Sequence, residues 1–419
     1  MRAMRNRWII AGVLAAAGLF AGPASERAYA QGPGWDVSGN EEFPLWAPVG
    51  AYQHDGSGFY TGVECVYLSM RRAIGDQDIA FRGITINHGA PGVGGVPGIT
   101  PGTFFGSGLV ALNTEDLGRT SWGAGIRLTA GYRLENGWNF SISWLHLFDI
   151  KYSGGAGMLA PNLNDPGTLG ANTFVSAPVY NFSMDFVGRN PFPNPPWTAN
   201  PTIGIWNGAT DMTMLFTQRY DNWDLAGRFP VFETENARSY AIAGGRFSWI
   251  WERFQWRTVK PELVSDGTAF VFQPTGDSTA RYLNTLSQRM YGPMVGFGHE
   301  VNLYSGTAGA FGLGTEVTGA ALLNITKERV KYIREDEATQ VKRAWWEMVL
   351  VPNVNLAMNL TWQPVNGVSF RVGYNMFNYF NTKYMEEPVS FNAGALDPAY
   401  GVKIWRVIHG ANFGVSFTF

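Results

Sequence analysis

The chain has 419 residues, and 31 Lys and Arg stand against 33 Asp and Glu for a formal net charge of −2. So weak a charge offers nucleic acid nothing to bind, the lone Cys65 excludes an intrachain disulfide framework, and five His with one Cys give no zinc-ligand spacing. Hydrophobic residues reach 45%, aromatics 15% and Gly 52 residues, while charged residues are only 15%, well under the usual quarter.

The first thirty residues read as an export signal. Arg2, Arg5 and Arg7 precede the apolar "WIIAGVLAAAGLFAG" (8–22), and Ala28 and Ala30 fit an A-x-A cleavage site before Gln31. Pro23, Glu26 and Arg27 cut that apolar run short of a membrane span. Residues 31–58 are then expected to be a periplasmic extension, with one domain over 59–419.

From there strands follow in order. A faint one lies at 59–71. The clearest hairpin is "SWGAGIRLTAGYRLENGWNFSISWLHLFDI" (121–150). Trp122, Ala124, Ile126, Leu128, Ala130 and Tyr132 share one face, and Gly123, Gly125, Arg127, Thr129 and Gly131 share the other. Glu135-Asn136-Gly137 makes the tight turn, and Trp138, Phe140, Ile142 and Trp144 return opposite Asn139, Ser141 and Ser143. Period two is kept throughout, which a helix cannot do.

Further strands are expected at 208–226, 238–256, 289–304, 311–325, 344–362, 368–376 and 402–419, ten in all, or twelve if 172–187 belongs to another pair. The long connections 72–118, 153–207, 257–288, 327–340 and 382–401 alternate with short turns, apart from a moderate one at 227–237. Five prolines between Pro191 and Pro201 bar that region from an interior strand.

Alternating strands build either a soluble sandwich or a membrane barrel. A sandwich shows a charged face to water, whereas here the second face is mostly Gly, Asn, Ser and Thr. Trp122 and Tyr132, ten residues apart, stand roughly 33 Å apart along a strand. Tilted by about 40°, that is roughly 25 Å, the height of the apolar band of an outer-membrane barrel. The expected fold is therefore all-β, a single transmembrane antiparallel β-barrel of the bacterial outer membrane, with long extracellular loops and short periplasmic turns.

The stretches "FYTGVECVYLSMRRA" (59–73), "GRFPVFETENARSYAIAGGRFSWIWERFQW" (227–256), "LVPNVNLAMNLTWQPVNGVSFRVGYNMF" (350–377) and "VIHGANFGVSFTF" (407–419) resemble the outer-membrane beta-barrel porin seven family of planctomycetes. The resemblance implies pore formation and brings no catalytic residues.

The sequence assembles no catalytic constellation. A lipid-face hydrolase commonly carries Ser two places after His, but Gly56, Ala90, Phe148, Val301 and Ala411 follow the five histidines. "GAPGVGGVPG" (89–98) has glycine spacing without a strand-to-helix context, so it is a surface loop, not a nucleotide site. "KERVKYIREDEATQVKRA" (327–344) reads as a solvated loop of mixed charge. Its functional reading is contact with charged surface polysaccharide across divalent ions.

The polar faces carry Arg127, Arg246, Glu252, Glu300, Glu316, Glu347, Arg371 and Arg406. They would either line a water-filled lumen and set ion selectivity, or pair with each other inside a filled barrel. No cofactor or metal is implied. The expected partners are outer-membrane lipid and, through the last strand, the outer-membrane assembly machinery. Phe413, Val415, Phe417 and Phe419 resemble the C-terminal signature that this machinery recognises, a final Phe after alternating apolar residues. Such a strand must also bond to the first one, because its backbone would otherwise be unsatisfied in hydrocarbon. A narrow porin-like channel for small polar solutes is the expected function, with a structural or surface-contact barrel as the alternative.

Overall fold

A computed structural model describes residues 57–86, 103–159, 171–181, 205–234, 236–260, 262–265, 270–273, 278–306, 309–337, 340–365 and 367–419. The export signal, most of the 31–58 extension, the 89–98 glycine stretch and the proline-rich 191–201 region lie outside them.

The alternation read in the sequence becomes ten barrel strands. These are β1 (Gly58–Met70), β2 (Trp122–Arg133), β3 (Asn139–Gly157), β4 (Asp211–Glu233), β5 (Ala237–Val259), β6 (Thr279–Gly306), β7 (Gly309–Arg334), β8 (Gln340–Val365), β9 (Val368–Lys383) and β10 (Lys403–Thr418). Each strand pairs antiparallel with its neighbour in sequence, and β1 closes the barrel against β10. That seam runs in register from Tyr60 opposite Thr418 to Met70 opposite Ile408, and the Phe419 amide donates to the Phe59 carbonyl at 2.9 Å. The apolar C-terminus is thus held by the first strand, as a closed barrel requires. Of the 172–187 stretch, 182–187 lie outside the described residues; in the described part Val175–Ser176 joins a small loop sheet with Asp78–Arg82 and Val110–Asn113 and not the barrel. At the β2–β3 turn Gly137 takes a φ of 79°, a conformation that favours glycine.

In the lower, periplasmic part of the wall the usual order is inverted. Phe297, Val317, Leu350, Leu356, Val372 and Phe413 are exposed, while Asn139, Ser141, Arg246, Asn353, Asn412 and Ser416 are buried. Only a hydrocarbon solvent makes that distribution favourable. Aromatic pairs mark its two rims. Phe59–Tyr132, Trp138–Phe229 and Trp362–Phe370 lie on the periplasmic side, with centroids 4.6, 5.1 and 5.5 Å apart. Tyr67–Trp122, Trp144–Trp223 and Phe380–Trp405 lie on the other, at 5.4, 5.4 and 5.9 Å. Trp122 and Tyr132 therefore stand at opposite interfaces. Among the described residues no helix is long and apolar enough to cross a membrane.

The strands run farther than expected. Much of 257–288 and 327–340 is not loop: β6 begins at Thr279 and is 28 residues long, and β7 continues to Arg334. The physical reason is a change of phase. Above the upper rim period two persists, but apolar residues turn inward and polar ones outward. On β7, Val317 and Leu323 face lipid lower down, whereas Val330 and Tyr332 are buried inside and Lys327 and Arg329 are exposed. On β5, Phe254 and Trp256 are buried between outward Arg253 and Arg257.

Those inward residues enclose a second, apolar core. Met214, Phe216, Phe254, Trp256, Tyr282, Leu286 and Tyr332 pack with loop residues Ile79, Leu112, Val175, Trp206, Met385, Val389 and Leu396. Each fully buried Phe, Leu or Met there contributes roughly 1.5–3 kcal/mol. The extracellular connections thus fold down into the mouth of the barrel as a plug.

Candidate functional site

The polar interior beneath that plug is the candidate site. Nearest the periplasm, Arg228 of β4 donates to Glu316 of β7 at 3.1 Å and to Ser141 of β3 at 2.8 Å. The Tyr240 hydroxyl bonds Glu316 at 2.7 Å and Glu300 at 3.1 Å. Beside them Glu64 of β1 receives Arg127 at 3.1 Å, Arg371 at 3.4 Å and the Asn412 amide at 3.0 Å. A Cβ on Gly414 would overlap the Glu64 side chain, so only glycine leaves room there for that carboxylate.

One level up, Arg246 of β5 makes two parallel bonds to Asp224, at 2.6 and 3.0 Å, and reaches Asn353 at 2.7 Å and Thr318 at 3.2 Å. Above it the Tyr220 and Tyr379 hydroxyls meet at 2.7 Å, and Ser248 joins Tyr379 at 2.9 Å. Near the plug Arg406 and Glu252, both side chains 0% exposed, form a bidentate pair at 2.6 and 3.1 Å. Lys383 bonds Glu328 at 2.8 Å and also reaches Glu347. Bidentate Arg–carboxylate pairs are among the stronger charge-assisted bonds, and their planar geometry fixes both partners.

All eight charges expected on the polar faces point inward, but none stands free in an aqueous ring. Arg127 and Arg371 share Glu64; Arg246, Arg406, Glu316 and Glu347 have ionic partners; Glu252 is paired; Glu300 is held by Tyr240. Five charged members are new to the expected set: Glu64, Asp224, Arg228, Glu328 and Lys383, the last two from stretches expected to be loop. Asp224 and Arg228 sit at the end of one expected strand and in the 227–237 stretch taken as a connection. Glu64 was hidden because β1 carries Val66 and Leu68 on the same buried face, so both faces of that strand look apolar.

Between the pairs remains a cavity of about 90 Å³, lined among others by Arg127, Asp224, Arg228, Arg246, Glu316 and Arg371. It is polar and large enough for several waters. The plug closes over it through directed bonds as well as apolar contact. Tyr282 and Asn284 donate to the Pro388 carbonyl at 2.9 and 2.8 Å, Tyr332 to that of Ser390 at 2.7 Å, and Gln77 exchanges two bonds with Val389. Burial, with Tyr282 and Glu328 nearby, pushes the Tyr400 phenol in this loop well above its ordinary range, so it stays neutral and donates to Asn284.

One Ser–His pair on the lipid face is formed across strands and not by Ser two places after His. Ser239 of β5 lies directly across from His299 of β6, with Oγ 2.9 Å from Nδ1. A cross-strand pair leaves no spacing signal in a linear sequence. No carboxylate among the described residues orients this His, and the ladder already uses the neighbouring strand amides, so an oriented base and an oxyanion hole are both missing. Nor do three or more metal-ligating side chains gather anywhere among the described residues.

A family model described as Legionella pneumophila major outer membrane protein precursor matches residues 110–415. No curated protein matches the chain. Among solved structures, the outer membrane protease OmpT from Escherichia coli is 11% identical, over 86% of this chain and 97% of that one, with a TM-score of 0.40. A Pseudomonas aeruginosa FadL homologue is 9% identical over 87% and 90%, at 0.24. The toluene transporter TodX of P. putida is 9% identical over 87% and 90%, at 0.18. Scores this low carry no argument about activity. The family match supports an outer-membrane protein without reaching the porin seven resemblance.

Proposed function

Because this chain belongs to the Legionella pneumophila major outer membrane protein family, we propose that its barrel is a narrow porin-like channel for small polar solutes, held closed by its own extracellular loops. The observation that carries this reading is the polar cavity of about 90 Å³ in the membrane-embedded half, bordered by both signs of charge and lying directly beneath an apolar plug. A water-filled passage needs charged walls, and those walls would set its selectivity once the mouth opens. The resting form would conduct little, because the Arg406–Glu252 pair and the 384–402 connection block the way up.

The blocked-lumen alternative is favoured by one observation, the completeness of the pairing: ten strands leave room for side chains to fill the interior. Planar-bilayer recordings separate the two. The wild-type barrel should show rare openings, and a variant with residues 386–401 replaced by a short Gly-Ser linker should conduct steadily. A variant that is heat-modifiable and therefore folded, yet silent even with Arg406 and Glu252 both changed to Ala, would decide for a structural barrel.

The same reading makes the protein non-enzymatic. A fluorophosphonate probe should leave Ser239 unlabelled, and labelling that is abolished by His299→Ala would overturn it.

A further inference from the structure

The phase change along β5–β8 leaves on the outer wall a grid of cations that neither the lumen nor the plug uses. Reading across the strands just above the rim, Trp251, Ser287, Lys327 and Trp346 are successive partners. The next row is Arg253, Thr285, Arg329 and Ala344, and the one above it Gln255, Leu283, Lys331 and Lys342. Arg281 stands one row higher, opposite Arg257. With strands about 4.8 Å apart and same-face residues about 6.6 Å apart, these charges lie within roughly 5–10 Å of each other.

Among the described residues the grid has few counter-charges. Arg257 has Glu335 at 3.1 Å and Arg219 has Asp149 at 2.8 Å. Among the described residues Arg253, Arg281, Lys327, Arg329, Lys331 and Lys342 have no anionic partner within ion-pair distance. Lys331 is repelled by Arg253, Arg281, Lys342 and Arg329 together. Like charges so close are unfavourable unless a ligand neutralises them.

The depth of the grid identifies that ligand. Arg253 lies 4.7 Å above the Trp251 ring, and Arg289 5.6 Å from that of Trp249. Tryptophan rings at a barrel rim mark the head-group level, so these cations meet the polar heads of the outer leaflet. The run 327–331, expected to be solvated loop, is strand whose outward residues Lys327, Arg329 and Lys331 are basic while Glu328 points inward. On the opposite wall Lys403 stands outward beside Trp405 and Phe380, without such a grid.

We infer that the outer wall of β5–β8 is a docking surface for a phosphorylated glycolipid of the outer leaflet, its phosphates seated among Arg253, Arg281, Lys327, Arg329, Lys331 and Lys342. Its acyl chains lie on the apolar wall below, over Tyr291, Leu323 and Met348. This surface is independent of whether the lumen conducts.

The test uses the full-length protein refolded in phosphatidylcholine nanodiscs and titrated with diphosphoryl lipid A, dephosphorylated lipid A or inorganic phosphate, with bound lipid counted by native mass spectrometry. Diphosphoryl lipid A should bind at least about tenfold more tightly than the dephosphorylated form, since charge-assisted contacts supply the difference. Arg253→Gln, Arg329→Gln and Lys331→Gln together should weaken it on the order of 100-fold, about fivefold for each cation removed. Arg329→Gln alone should give about fivefold should the triple variant fail to become heat-modifiable. Lys403→Gln should change nothing. Equal binding of the dephosphorylated lipid, full competition by inorganic phosphate, or an equal loss with Lys403→Gln would each overturn the assignment.

Discussion

Glu64 receives Arg127 from β2 and Arg371 from β9, so it ties together strands on both sides of the barrel's seam. Its side chain is 1% exposed, and among the described residues neither arginine has another carboxylate within ion-pair distance. Glu64→Gln leaves two buried cations facing an amide, and breaking a buried pair costs roughly 3–5 kcal/mol. Urea unfolding followed by tryptophan fluorescence should show a loss of that size. A loss below about 1 kcal/mol would mean that water already solvates the site as it does a surface pair. Pairing also changes what a charge reversal can report. Arg127→Glu sets a second carboxylate against Glu64 and should impair folding before it alters ion selectivity, so Arg127→Gln with Glu64→Gln is the cleaner change.

At the scale of the strand, the controlling feature is which face is apolar at which height. Val317 on β7 faces lipid, and Val317→Arg should cost roughly 2–4 kcal/mol if it lies near the midplane. Thr285 on β6 points outward among cations above the rim, where Thr285→Arg should cost about 0–1 kcal/mol. Refolding titrations of the two variants into phosphatidylcholine vesicles check the contrast, and equal costs would place the rim elsewhere. The same feature explains what the sequence made legible. The 121–150 hairpin was readable because its alternation keeps one phase from Trp122 to Trp144 and its turn is marked by Gly137. The upper halves of β6 and β7 were not, because Tyr282, Leu286, Val330 and Tyr332 carry the apolar positions onto the opposite face. A strand whose pattern flips midway resembles one that has ended. The interior pairs were legible only as a set of polar-face charges, since which Arg meets which carboxylate depends on barrel curvature that no local pattern records.

For the whole molecule, ten strands arranged in sequence order make nine local pairings and one distant one. The distant one depends on the last residues. Phe417 pairs with Thr61 and Phe419 bonds the Phe59 carbonyl, so Phe417→Ser with Phe419→Ser should sharply reduce heat-modifiable protein in the outer-membrane fraction while export continues. Undiminished assembly after that double change would refute the role given to this strand. Orientation is checked by cysteines placed in a Cys65→Ser background. Ser107→Cys should react with an impermeant label on intact cells and Asn136→Cys should not, the reverse pattern inverting the barrel. The seam also has a kinetic meaning. Every other barrel pairing joins strands consecutive in sequence, whereas Tyr60 must find Thr418 across 358 residues (418 minus 60). Closing a loop of that length instead of one of about ten costs roughly 3 kcal/mol more in chain entropy. On this entropy argument the seam is the slowest pairing to find, and the meeting of the chain's own ends is the step expected to limit folding of the barrel.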